Sequence, residues 1–378
     1  MFSSIPIRVL QVVNHMDYGG VESVIMNYYR HIDRRRVQFD FAVSEDSLLP
    51  QKEEIRELGG KIFLLPKIIH LKKYLSALKK IIRENQYQIV HCNMSSLSVI
   101  PLYAAYQEKV RIRICHNHTT THKKEGIKVV MKCMLRPCCK WFATDYFACG
   151  EYAGQWLFGV HCLHKDGIYI MRNAVEIEKF RYHADTRNKI RKKLGLDGKF
   201  VVGHIGRFVT PKNHVFLVDI FHKVYLQNPD ARLLLVGEGE LLEKTQNKVK
   251  KLGIDKAVIF YGNSKDTASL YQVMDVFCLP SLFEGFPVVL VEAQTGGLPV
   301  IVSTQVPKET QLLDSYDSLT LKESPEVWAN RILESYSKEN QREQAYLKVI
   351  EAGYSIKEEA ERLLEFYFKA GKRKDGWK

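Results

Sequence analysis

Short apolar, β-rich runs separated by helical stretches recur through this chain in two series, and few architectures accommodate that rhythm. The first series occupies residues 7–13, 37–43, 61–65, 87–92 and 110–115. Helical patterns such as 21–32 and 72–85 lie between the runs. Strand–helix–strand alternation of this kind implies βαβ units on a parallel sheet.

Near residues 171–182 the rhythm breaks, and a charged helical stretch, Ala184-Asp-Thr-Arg-Asn-Lys-Ile-Arg-Lys-Lys-Leu, follows. An inter-domain linker is expected at about 172–195. A second series then begins, with strands expected at 199–205, 231–237, 257–262, 275–280 and 298–303. The fold class is therefore α/β, with two Rossmann-like doubly wound domains. Residues 1–178 form the first and 179–355 the second, and 356–378 form a C-terminal helix crossing back to the first. Ligands of such sheets bind at the carboxyl ends of the strands, so a cleft faced by both domains is the expected site.

A chain of 378 residues is long enough for two such cores. Its eight cysteines form no Cys-x-x-Cys pair, which favours reduced thiols over a disulfide framework or a zinc site. The apolar start is broken by Arg8 and ends at Asn14-His15, unlike a signal peptide, and no run is long enough to span a membrane. A cytoplasmic location is expected. Lysine and arginine exceed aspartate and glutamate by 13. Such an excess bears on partners and leaves nucleic acid, an anionic membrane surface or an anionic substrate open.

The densest chemistry lies in Ser281-Leu-Phe-Glu284-Gly285-Phe286-Pro287 and the apolar stretch that carries Glu292. It follows an expected strand, so it is a strand-to-helix turn. Pro287 suits the first helical position, and the free amides of Gly285 and Phe286 can point at an anion. A carboxylate inside the helix, Glu292, can accept from both hydroxyls of a ribose; one at the turn, Glu284, can reach a hexose beyond the phosphates. A second element, Gly206-Arg207-Phe208-Val-Thr-Pro-Lys212-Asn213, follows the first strand of the second series. There a forked guanidinium and a compact ammonium can hold a diphosphate from two sides. Solvated surface cations are the common fate of such residues, and pairing with the glutamates sets these apart.

Glu284 and Glu292 match the E-x7-E motif of the retaining GT-B glycosyltransferases of family four, the group-1 transferases. The chain resembles that family over nearly its whole length, most of all its members from bacterial capsule and exopolysaccharide synthesis. The resemblance implies transfer of a hexose from a nucleotide-sugar, with uracil as the base and guanine second, to a glycan or lipid-linked acceptor. It gives Arg207 and Lys212 the pyrophosphate and Glu284 the hexose. Gly206, Asn213, Gly262, Gly285, Phe286, Pro287 and Glu292 belong with them in the donor site. Gly19 and Gly20, after the first strand, resemble the family's double-glycine loop against the donor phosphates. In Cys115-His116-Asn117-His118 a histidine is expected to contact the transferred sugar, with His118 favoured and His116 second. One departure is Asn173-Ala174-Val175-Glu176, where members carry Asn-Gly-Ile-Asp.

No Asp-x-Asp occurs in the chain. Arg207, Lys212 and the turn at residues 285–287 are then the groups expected to offset charge on the leaving diphosphate, with no metal and no cofactor. Basic residues gather in the first half: Lys67, Lys72, Lys73, Lys79, Lys80 and Arg83, then Lys123, Lys124, Lys128, Lys132, Arg136 and Lys140. The second set is interleaved with Ile127, Val130, Met131, Met134 and Leu135, the pattern of a basic amphipathic helix. Peripheral contact with anionic lipid on the inner membrane face is the expectation; no nucleic-acid module is present. Two rival functions are a nucleotide-sugar epimerase and a catalytically silent sugar-nucleotide scaffold.

Overall fold

The structure, a computed structural model, describes residues 5–17, 19–118, 127–160, 167–336 and 342–372. Two compact units divide the chain: Met1–Ala174 with Ile356–Lys378, and Val175–Ser355.

In the first unit β1 (Ile7–Val12), α1 (Gly20–His31), β2 (Val37–Ser44), α2 (Lys52–Glu57), β3 (Ile62–Leu65), α3 (Leu71–Glu84) and β4 (Ile89–Cys92) come in order. They continue with α4 (Val99–Gln107), β5 (Ile112–Asn117), α5 (Ile127–Phe142), β6 (Asp145–Ala148), α6 (Glu151–Phe158) and β7 (Tyr169–Ile170). The strands form one parallel sheet in the order β3-β2-β1-β4-β5-β6-β7. The winding direction reverses between β1 and β4, where Gln11 lies beside His91. Phe39, Phe41, Tyr28 and Tyr29 fill the core on one face of the sheet.

The second unit holds α7 (Ile177–Phe180), α8 (Ala184–Leu194), β8 (Phe200–Ile205), α9 (His214–Gln227), β9 (Ala231–Val236), α10 (Leu242–Lys251) and β10 (Val258–Gly262). After these come α11 (Thr267–Val273), β11 (Val276–Leu279), α12 (Val288–Thr295), β12 (Val300–Ser303), β13 (Tyr316–Leu319), α13 (Pro325–Tyr336) and α14 (Ala345–Glu351). Its parallel sheet runs β10-β9-β8-β11-β12-β13, with the reversal between β8 and β11. The last helix, α15 (Ile356–Lys372), belongs to the first unit. Ile356, Ala360, Leu363, Leu364, Tyr367 and Ala370 recur at helical spacing and are buried in the same core as α1. The larger of these side chains contribute about 1.5–3 kcal/mol each by leaving water.

From Val175 onward the stretch expected as a linker is a built part of the second unit. Helix α8 ends on Gly195 in the left-handed conformation, a normal helix stop. Its arginines are tethers: Arg187 and Arg191 both pair with the buried carboxylate of Asp275, and Arg191 also donates to Val273 O at 2.7 Å. Asp275 accepts in addition from the amide of Val201 at 2.7 Å, so the carboxylate joins α8 to the start of β8. The boundary between the units falls after Ala174, not after residue 178. Three strands escape the sequence pattern, β6, β7 and β13.

Candidate functional site

The residues singled out above gather at the carboxyl ends of the strands. Gly19 and Gly20 follow β1, and His116 and His118 lie at the end of β5. Gly206 to Asn213 follow β8 and Glu284 to Glu292 follow β11, with Gly262 closing the edge strand β10. In the second unit the loops after β8 and β11 are fastened to each other. Leu282 N donates to Pro211 O at 2.7 Å, and Asn213 Nδ2 to Pro280 O at 3.1 Å. Lys212 Nζ then reaches Glu284 Oε1 at 2.6 Å, and Ser281 Oγ donates to the same oxygen at 2.7 Å. Both partners of this ion pair are mostly shielded, with side chains 19% and 12% exposed. Asn213 makes its bond from a left-handed backbone (φ 56°), a conformation asparagine tolerates better than most residues. Ser281 is held from behind by Ser303 Oγ, which donates to its carbonyl at 2.5 Å.

Gly285, Phe286 and Pro287 are buried, and Phe286 stacks on Tyr354 with ring centroids 5.4 Å apart. Pro287 caps α12 from outside, and the first helical residue is Val288, one position later than the sequence suggests. Glu292 sits in the second turn and accepts from Tyr271 Oη at 2.7 Å. Burial lifts its carboxyl to about 7 although the tyrosine bond works the other way. The same burial raises the Tyr271 phenol well above its ordinary value.

Three strand ends close on one another beside Arg207. Gly206 N donates to Val236 O at 2.9 Å, Phe208 N to Glu238 O at 2.8 Å and Gly237 N to Gly262 O at 2.9 Å. A Cβ on Gly237 (φ 133°) would lie 2.3 Å from Gly206 O, and one on Gly239 (φ 151°) 2.6 Å from Phe208 O. Only glycine fits at either position. Arg207 itself is exposed, and no side-chain partner holds it among the described residues. Tyr261 is likewise exposed, beside Gly262.

Two histidines here carry no sequence signal. His204 Nδ1 donates to Cys278 O at 2.8 Å, and His214 stacks on Phe208 at 4.0 Å. Both are fully buried, which holds their imidazoles neutral: His204 is lowered to about 4 and His214 to about 2. The charge of Lys212 adds to the effect at both.

In the first unit Gly19 caps α1 with φ −115°, and neither Gly19 nor Gly20 is in the left-handed region. Space, not turn geometry, bears on Gly19, where a Cβ would meet the Glu22 carboxylate at 2.2 Å; a Cβ on Gly20 would meet nothing within 4 Å. Tyr18 and Thr119 lie outside the described residues. His116, next to last in β5, is fully buried, and the His118 ring packs against it, tilted by 31° with centroids 3.8 Å apart. His116 Nδ1 bonds His91 Nε2 at 3.0 Å, and His118 Nε2 bonds Asn93 Oδ1 at 3.0 Å. Burial lowers both imidazoles, His118 to about 3. His91 and Asn93, like Gln11 and Tyr367 behind them, were not singled out from sequence.

Among the described residues no three His, Cys, Asp or Glu side chains gather in a way that could hold a metal ion. No helix of the described residues is long and apolar enough to cross a membrane. Helix α5 packs Leu135, Cys138, Cys139 and Phe142 into the core. Its outer side exposes Val130 (57%), Met134 (71%) and Trp141 (70%). Lys123 and Lys124, and the side chains of Ile127, Lys128 and Met131, lie outside the described residues.

Two doubly wound parallel sheets, each reversing where the polar loops gather, are the architecture of the GT-B glycosyltransferases. The family model for glycosyl transferases group 1 matches residues 186–351, and that for glycosyltransferase family 4 matches residues 18–179. EpsF of Bacillus subtilis, named a glycosyltransferase, is 31% identical over 335 residues, covering 86% of each chain. The capsular polysaccharide biosynthesis glycosyltransferase CapH of Staphylococcus aureus is 24% identical over 339 residues, 86% of this chain and 90% of its own. Among solved structures, Alr3699/HepE of Anabaena in complex with UDP-glucose superposes with a TM-score of 0.80 at 18% identity, over 96% of this chain and 99% of that one. This chain belongs to the group-1 glycosyltransferases of family four.

Proposed function

We propose that the chain transfers a hexose or hexose derivative from a UDP-linked donor to a glycan or lipid-linked acceptor in surface polysaccharide synthesis. Transfer proceeds with retention and without a metal ion. The observation that carries this reading is the junction of Lys212, Glu284 and Ser281 at the β8–β11 reversal, where a cation and a carboxylate sit on two loops bonded to each other. The capsular function named for CapH and the UDP-glucose bound by HepE point the same way.

In this scheme Lys212 and Arg207 take the diphosphate, with the amides of Gly285 and Phe286 before α12, and Glu292 takes the ribose. Gly206, Asn213 and Gly262 keep the surrounding backbone close, and Gly19 and Gly20 serve the phosphates from the first unit. Glu284 holds the hexose; His118, with His116 second, is assigned to the same sugar. The bond between the anomeric carbon and the diphosphate oxygen breaks. A bond from that carbon to the acceptor oxygen forms on the same face, and the acceptor proton passes to the departing phosphate oxygen. Both cations stabilise that leaving group electrostatically, which is the service a divalent ion would otherwise supply.

Glu284→Gln keeps the shape of the side chain and removes its charge. With UDP-sugar, acceptor and excess chelator present, wild type is expected to turn over and the variant to fall by about 100-fold. Equal rates of UDP release in the two proteins would sink the scheme. The lipid-facing surface is proposed to be α5. Its exposed apolar stripe and basic residues suit an anionic interface, and Trp141 adds an aromatic anchor that sequence reading had passed over. Charge reversal at Lys128 and Lys132 is expected to release the protein from acidic liposomes in a sedimentation assay; unchanged sedimentation would refute the attachment.

A further inference from the structure

Six polar side chains at the β1–β4–β5 reversal of the first unit form one connected assembly, and its node is on the C-terminal helix. Tyr367 Oη lies 3.2 Å from Gln11 Nε2 and 2.6 Å from His91 Nδ1. Nε2 of Gln11 can only donate, so the hydroxyl accepts from it, and His91 Nδ1 is the acceptor within reach of the hydroxyl's own proton. His91 is fully buried and held neutral, so its proton sits on Nε2 and is given to His116 Nδ1, 3.0 Å away. His116, also neutral, must then carry its proton on Nε2, a buried atom with no partner among the described residues.

The second arm leaves the same hydroxyl in the other direction. Gln11 donates to it through Nε2 and accepts through Oε1 from Asn93 Nδ2 at 2.8 Å. That turns Asn93 Oδ1 toward His118 and makes it the acceptor of His118 Nε2–H, leaving Nδ1 of His118 as a lone pair. One hydroxyl thus sets opposite polarities on two imidazoles packed 3.8 Å apart: His116 offers a proton and His118 offers a lone pair. Phe147 packs edge-on against His91 and His116, with ring centroids 5.0 and 5.7 Å away, and supplies no competing polar group.

We propose that Tyr367 is a positioning residue for sugar transfer, its single hydroxyl fixing which ring nitrogen carries the proton in both His116 and His118. Which nitrogen is protonated is set by the bond the other one makes, so the far end of each arm controls the near end. Removing the hydroxyl frees Gln11 to turn over and leaves Asn93 Nδ2 only its weaker bond to His91 O at 3.3 Å, so a share of Asn93 turns and offers its NH2 to His118. His118 then shifts toward the Nδ1–H form and loses the lone pair it presented. The inference rests on the assignment of His118 to the transferred sugar.

Tyr367→Phe keeps the packing of α15, and isotope-labelled histidine NMR reports the proton position in each ring. Wild type is expected to show His91, His116 and His118 all as Nε2–H at neutral pH. In Tyr367→Phe a Nδ1–H population should appear in His91, in His116 beyond it, and in His118. Turnover should fall about ten-fold, the scale of one buried hydrogen bond, with the donor KM changed much less. Gln11→Met cuts only the arm to His118 and should move that ring alone; His91→Gln should move only His116. Unshifted rings in Tyr367→Phe, or shifted rings with undiminished turnover, would overturn the proposal. His118→Ala separates the two levels. Full activity in that variant would remove the sugar assignment itself. Loss of activity there, with Tyr367→Phe as active as wild type, would remove the positioning role alone.

Discussion

Lys212→Ala is expected to slow sugar transfer by about 100- to 1,000-fold, the cost of removing one preorganised group from a developing anion. The size of the effect follows from where the ammonium stands. Its side chain is only 19% exposed, and the two imidazoles beside it, His204 and His214, are held neutral by burial. Charge in such surroundings is screened far less than at an open surface. Arg207, exposed and without a side-chain partner among the described residues, makes the internal comparison. Arg207→Ala should cost about ten-fold, because water and salt screen an exposed cation. Rates of UDP release at saturating donor check both; equal losses would mean that shielding does not set the contribution. Lys212→Arg should recover part of the rate by keeping the charge while missing the short contact to Glu284.

The second large effect is on stability against acid. Five buried imidazoles, His91, His116, His118, His204 and His214, are all pushed below their ordinary range by burial. The sign follows from proton counts. Below about pH 6.5 the unfolded chain protonates these rings while the folded chain does not, so stability falls as pH falls. Each ring contributes a slope approaching about 1.4 kcal/mol per pH unit well below its unfolded pKa, down to its folded value. Glu292, raised to about 7, and Glu359, also raised by burial, work in the opposite direction above their unfolded values, and two carboxyls offset only part of five imidazoles. Thermal unfolding followed by circular dichroism should show Tm dropping steeply from pH 7 to pH 5. His214→Leu, which removes one of the five, should flatten the slope. A Tm that holds steady over that range would contradict the burial of these rings as neutral groups.

Much of this architecture was readable because strands of a covered parallel sheet announce themselves as largely apolar runs, as in Leu233-Leu-Leu-Val of β9 or Val276-Phe-Cys-Leu of β11. The strands that escaped lack that signature. β7 is two residues long, and β13, at the sheet edge, carries Asp317 and Ser318 in its middle. Helix α8 is helical as its sequence suggests, and only its place in a linker fails, for a related reason. Its charges suggest a segment between domains, yet Arg187 and Arg191 lay their stems along the fold and bring their guanidinium groups to Asp275.

The site divides along the same physical line. Glu284, Arg207 and Lys212 stand on loops and Glu292 in the second turn of an apolar helix, where charged residues at fixed spacing have few purely structural explanations. Gln11, His91, Asn93 and His204 sit in or just past strands whose neighbours are apolar, and a single polar residue there gives no hint of its partner. Tyr367 is further still from view, 356 residues along the chain from Gln11, with which it shares a hydrogen bond. Only folding brings such groups together, and only then does the assembly become chemistry.

The central claim is that the β8–β11 reversal binds a nucleoside diphosphate through Lys212 without help from a metal. Titration calorimetry of UDP into wild type and Lys212→Ala, both in excess chelator, tests it most directly. The account predicts saturable binding to wild type under these conditions and at least about ten-fold weaker binding to the variant, the loss of one charge-assisted contact. Binding that vanishes with chelator and returns with a divalent ion, or equal affinity in the two proteins, would contradict it.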